Sequence, residues 1–229
     1  MKRLYLTVEG QTEAAFATSV LTPHLVNFNV FLTAPRFTGL HKRRRGRIPQ
    51  GGMLNTFGHA LEDMKRWMKE DKSPQARFTM MVDLYSLPND FPGYNAGMER
   101  STGREQAAAL QTSLYAKIGD DRFIPYLQVH EYEALVLVDP QRIASIYDVP
   151  EAQIKALQEA CGGYDTPEDI NHGQHTHPKY RIQQQVREYD ENVAGPLIAK
   201  DIGLPTLRVR CPHFGEWLST LERLDADGM

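Results

Sequence analysis

The chain has 229 residues, enough for one large domain or a domain with an appended helical part. Its hydrophobic content of 41% and charged content of 24% are those of a soluble globular protein, and a formal net charge of -3 excludes a global pull toward nucleic acid or anionic membrane. Two cysteines, Cys161 and Cys211, make no disulfide framework; no secretory leader follows Met1 and no apolar run is long enough for a bilayer, so a cytoplasmic protein without a membrane partner is expected.

The first stretch, Leu4 to Val8, reads as a buried strand that ends at Glu9 and turns at Gly10 into a helix. Thr12 is the expected N-cap of that helix, which begins near Glu13 and carries an apolar face of Phe16, Ala17, Val20 and Leu21. Pro23 either kinks it or starts a second short helix. Val30 to Phe37 is a second strand near an edge, because Pro35 interrupts it. Next comes the one dense positive patch, with Lys42, Arg43, Arg44, Arg45 and Arg47. Clustered cations of this kind either form a solvated loop or contact a phosphate backbone, where they release counterions. Met53 to Glu70 is an amphipathic helix. Phe78 to Asp83 is a third strand that delivers Asp83 to the same edge as Glu9, and Leu84 to Tyr94 is an irregular wall beside it.

Gly103 to Ile118 is a helix, and Arg122 to Val129 a fourth strand that ends at His130, Glu131 and Glu133. The alternation of strands and helices to this point predicts an α/β fold with a mainly parallel sheet flanked by helices. We therefore expect a core over residues 1–139 and a helical C-terminal elaboration over 140–229, packed on it. Helices are predicted at Gln141–Tyr147, Glu151–Ala160, Lys179–Glu188, Asn192–Ile202 and Phe214–Leu224, with a short extra strand at Leu207–Arg210.

Carboxylates that converge at one sheet edge suit Mg²⁺ or Mn²⁺, which take oxygen ligands and can activate water against a phosphodiester. Glu9, Asp83, Glu131 and Glu133 are the candidate metal ligands. If the segment after His130 stays extended, Glu131 and Glu133 share a side; if a helix begins there, they diverge and only one ligates. The alternating histidines His172, His175 and His177 read as a polar loop or a transition-metal site, and Lys179 and Arg181 as cations for a scissile phosphate. No Gly-x-x-x-x-Gly-Lys run provides a nucleotide loop.

Val8-Glu9-Gly10-Gln11-Thr12-Glu13, with Asp83 at a later strand end, resembles the opening of Toprim domains, the metal-dependent module of topoisomerases, primases and the OLD and RloB-type nucleases. The further segments Val82-Asp83, Pro125 to Leu135 and Cys211 to Phe214 resemble a bacterial Toprim-like family of unknown function. Its members stand beside ATPase genes in phage-defence settings. The resemblance implies a Rossmann-like Toprim core and a nuclease that cuts DNA or RNA with Mg²⁺ or Mn²⁺. It makes Glu9 and Asp83 metal-binding and catalytic, and an ATPase a partner. Tyr85 stands where the second Toprim aspartate belongs. That departure supports an alternative, a non-catalytic module that binds nucleic acid or a partner protein.

Overall fold

The computed structural model describes residues 1–37, 56–170, 173 and 175–226. Strand β1 (Lys2–Val8) is the centre of a parallel sheet. It pairs on one side with β2 (Val30–Leu32) and then β3 (Arg36–Phe37), and on the other with β4 (Ala76–Met81), which pairs in turn with β5 (Phe123–Ile124). Leu4, Leu6 and Val8 are buried on one face of β1, whereas Tyr5 stacks on Phe78 across the other, the two-residue alternation of a strand covered on both sides. The register sets Val8 beside Met81, so Glu9 and Asp83 leave the sheet at the same edge.

Prolines cut two predicted strands short. Ala34 and Pro35 separate β2 from β3, and Pro125, which has no N–H, ends β5 after two residues. The ladder resumes as a single bridge between Asp83 and Gln128, with Leu84 N–H donating to Gln128 O at 2.9 Å.

Helix α1 (Gln11–Phe16) runs through a π turn at Ala17–Leu21 into α2 (Thr22–Leu25). Widening the turn lets Thr22 N–H reach Ala17 O, so the run passes Pro23 without breaking. The helix begins at Gln11 with Gly10 as its cap, not at Thr12: Glu13 folds back and accepts the Gly10 N–H at 2.8 Å. α3 (Phe57–Glu70), α4 (Tyr94–Met98) and α5 (Gly103–Ile118) follow. Phe57, Met64 and Met68 pack with Phe78, Met80 and Leu110 on one face of the sheet.

A short helix, α6 (Glu133–Val136), starts the C-terminal part, followed by α7 (Glu151–Cys161), α8 (Pro178–Gln185), α9 (Glu191–Ile202), α10 (Leu204–Arg210) and α11 (Pro212–Glu222). The segment predicted as a strand at Leu207–Arg210 is helix. Pro205 sits in its first turn, where no N–H is required, and Leu204 and Leu207 turn inward at helical spacing while Val209 stays 75% exposed. The C-terminal helices share one apolar cluster with β1 and α1, which joins Ile198, Phe214 and Leu218 to Leu4, Leu6 and Phe16. Among the described residues no helix is long and apolar enough to cross a membrane.

Trp217 ties α11 to the sheet. Its ring stacks on Tyr126 at 4.2 Å, and its Nε1–H donates to Thr79 Oγ1 at 3.0 Å. Trp217→Ala removes that packing and leaves a cavity. It is expected to cost about 3–5 kcal/mol in urea unfolding and to lower the stability of the whole chain in one transition.

Candidate functional site

At the carboxyl edge of the sheet lies a cleft of about 1040 Å³. Strand ends provide Glu9 and Asp83. The first turn of α1 brings Glu13, the turn into α6 brings Glu131, and the starts of α6, α8 and α9 bring Glu133, Lys179 and Glu191. Residues 85–90 form one wall, as expected of a loop beside the site. The carboxyl edge of a parallel sheet is where α/β folds collect chemistry. Gly195 lets α9 come close enough to take part: a Cβ there would meet Tyr132 Cε1 at 3.0 Å and Thr12 Cγ2 at 3.3 Å. Thr12 instead serves the helix pair, with its hydroxyl 3.3 Å from Asn192 Oδ1.

Seven acids line this cleft, and most of them have at least one carboxylate oxygen engaged. Glu9 Oε2 accepts from Ser86 Oγ at 2.7 Å. Glu131 is pinned by the Lys179 backbone N–H and by His177, whose Nδ1 lies 2.9 Å away. The same nitrogen is 3.3 Å from Tyr180 N and cannot donate to one and accept from the other; the shorter contact, to a carboxylate, takes the hydrogen. Glu191 pairs with the Lys179 ammonium. Glu133 takes a long contact from the Tyr189 hydroxyl, at 3.4 Å. Asp83 is the exception. Its Oδ1 is fully covered and has no hydrogen-bond partner among the described residues, and the same is true of the Tyr132 hydroxyl in the same cleft.

Burial, with mutual repulsion added, raises the proton affinity of several of these acids. Burial raises Glu13 to about 7, with Glu9 and Glu191 adding to the shift, and raises Glu133 to about 8, with Glu131 and Glu191 adding. Asp83 lies well above the ordinary carboxylate range, first through burial and then through Glu13, Glu9, Glu133 and Glu131. Glu9 is also raised by burial, although the Ser86 hydrogen bond opposes the shift. Burial alone would lower the Lys179 ammonium, but Glu191, Glu133 and Glu131 outweigh it and leave the amine more firmly protonated than usual.

Of the residues predicted for the site, Glu9, Asp83, Glu131, Glu133 and Lys179 converge. Arg181 does not. Its guanidinium donates to Thr176 O, Ala160 O and the Tyr164 hydroxyl, which places it in the α7–α8 packing as a structural cation. α6 begins at Glu133, so the two glutamates diverge: Glu131 turns to α8 while Glu133 stays inside the cleft. His130 is buried at φ 60° against Gly103 and does not line the cleft. Cys211 is a buried cap of α11, and His213 turns to Gln111 and Leu127 O, so they form no nucleophile pair. Lys42, Arg43, Arg44, Arg45, Arg47 and His172 lie outside the described residues. The sequence reading missed Glu191 and the roles of Glu13, Ser86 and His177. The His177-Pro178 pair is an N-cap signal and could have marked the turn that seats Glu131.

An all-oxygen donor set matches a hard divalent cation. Among the described residues no three His, Cys, Asp or Glu side chains stand together as a metal-binding group. Mg²⁺, however, is commonly held by one or two carboxylates and several waters, and the orphaned Asp83 oxygen with the weakly held Glu133 fits that demand.

A family model described as a domain of unknown function, DUF4276, matches residues 8–222. No curated protein and no solved structure matches the chain.

Folded-state values of about 7 and about 8, against an ordinary 4.5, mean that the native protein keeps protons that the unfolded chain has released. Their contribution is complete below about pH 4.5 and is lost as pH rises through the folded values. In metal-free buffer the melting temperature should therefore fall between about pH 5 and pH 8, and Glu133→Gln should flatten that slope. An unchanged slope in the variant would remove Glu133 from the buried cluster.

Proposed function

We propose that this chain, which belongs to the DUF4276 family, hydrolyses phosphodiester bonds in DNA or RNA as a Toprim-like, Mg²⁺- or Mn²⁺-dependent nuclease of the cytoplasm. The observation that carries this reading is the Asp83 carboxylate, buried among like charges with an oxygen left unsatisfied. A buried polar atom without a partner costs roughly 1–3 kcal/mol, and more when charged, and a divalent cation relieves that cost while removing the repulsion around it.

Asp83 and Glu133 would hold the cation, with Glu9 beside them in the same cleft. A bound Mg²⁺ or Mn²⁺ would neutralise phosphate charge and activate a water. Ser86 orients Glu9 through its hydroxyl, and Glu9, whose carboxyl burial has raised, is suited to take and return a proton. Lys179 places a firmly held positive charge at the cleft, where developing charge on a phosphoryl group needs it. An acidic cleft alone repels a phosphate backbone. Two unit charges 4 Å apart interact by about 4 kcal/mol at an effective dielectric of 20, and several acids act together here. The cation and the basic run Lys42, Arg43, Arg44, Arg45 and Arg47 supply the opposing charge. An ATPase partner, as in the phage-defence settings of the family it resembles, would control the activity.

One observation favours the alternative of a non-catalytic subunit. Tyr85 stands in place of a second acid, and its ring stacks on His177 at 5.2 Å. In that reading the cleft binds nucleic acid or a partner protein without turnover.

The nuclease reading predicts that Glu9→Gln and Asp83→Asn each lower Mn²⁺-dependent cleavage of a mixed DNA and RNA panel by at least about 100-fold while the circular dichroism spectrum is unchanged. Wild-type cleavage by both variants would refute it.

A further inference from the structure

The mouth of the cleft is built from aromatic rings as well as acids. Tyr85 leaves 46% of its surface exposed, large for an aromatic residue at a cleft wall, and it lies over the His177 ring with centroids 5.2 Å apart and planes 23° from parallel. Tyr180 adds a tilted ring 5.8 Å from His177. The backing ring and the backbone of Tyr85 are held before any ligand arrives. The His177 ring is oriented by Glu131 at 2.9 Å. The Tyr85 backbone N–H donates at 2.9 Å to the O of His130, which is itself held at positive φ. A ring that is already immobilised loses little side-chain entropy on binding, which favours its use as a contact surface.

Two links join the stack to the acids. Tyr85 is two residues after Asp83, and His177 holds Glu131. A planar group lying on this stack would place whatever is attached to it beside Asp83 and Glu133. We propose that Tyr85, backed by His177, is a stacking platform for one unpaired base next to the acidic centre. The substrate is then nucleic acid with an unpaired nucleotide at the reacting linkage, because a base inside a duplex has both faces covered by its neighbours. This inference rests on the nucleic-acid reading above and narrows its substrate class.

The test uses the full chain, Ca²⁺ to hold off cleavage, and a short oligonucleotide carrying a fluorescent adenine analogue, offered as a single strand and as the matching duplex. The single strand is expected to bind at least about 10-fold tighter than the duplex, with quenching of the analogue. Tyr85→Leu is expected to lose about 10-fold or more in affinity together with the quenching, and Tyr85→Phe, which keeps the ring, to retain both. Equal affinity for the duplex, wild-type affinity in Tyr85→Leu, or no binding of the single strand by the wild type would each overturn the inference. The quenching readout needs only the wild type, so a variant that fails to fold leaves the test standing. Ring-dependent binding without turnover in Mn²⁺ would support the platform and sink the nuclease. Cleavage of single strands unaffected by Tyr85→Leu would sink the platform and keep the nuclease.

Discussion

Carboxylates held close together at the carboxyl edge of a parallel sheet are the constraint on which the rest of this structure turns. The register of β1 against β4 sets Val8 beside Met81, and the chain then places an acid just past each strand. Nothing in hydrophobic folding asks for that. A protein selected for stability alone would put apolar or singly charged residues there, since each further buried acid raises the proton affinity of its neighbours and adds a desolvation cost. The cost is carried by the two apolar clusters that sandwich the sheet.

The C-terminal helices finish the site as well as covering the sheet. α8 seats Glu131 with a backbone N–H and a histidine, and α9 brings Glu191 to pair with the Lys179 ammonium. Another buried acid, Glu168, shows the contrasting solution. It accepts the His213 and Phe214 N–H groups at 2.8 and 2.9 Å and so fastens the start of α11. Both Glu168 oxygens accept N–H groups in a structural role, while the covered Oδ1 of Asp83 has no such donor among the described residues. The difference between these two buried carboxylates is a better guide to function than burial itself.

Much of this architecture was legible in the sequence, for physical reasons. Strand alternation at Leu4, Leu6 and Val8 and the helical run Gly103 to Ile118 are local signals, and both elements are where they were expected. The failures came where tertiary packing overrode local pattern. Arg208-Val209-Arg210 alternates like a strand, but the burial of Leu204 and Leu207 makes it helical. Glu9 and Asp83 could be found because they lie just past the ends of β1 and β4. Glu191 could not, because only the close approach of α9 at Gly195 brings it in. Arg181 looked like a phosphate ligand by residue type, yet three oxygens of the α7–α8 junction use its donors. Side-chain chemistry was readable from sequence; side-chain allegiance was not.

The central claim is that the acidic cluster exists to hold a divalent cation. Calorimetric titration of Mn²⁺ into the wild type and into Asp83→Asn tests it most directly. The account predicts saturable binding to the wild type that is lost, or weakened by at least about 10-fold, in the variant. Absence of binding to the wild type, or equal binding to both, would contradict it.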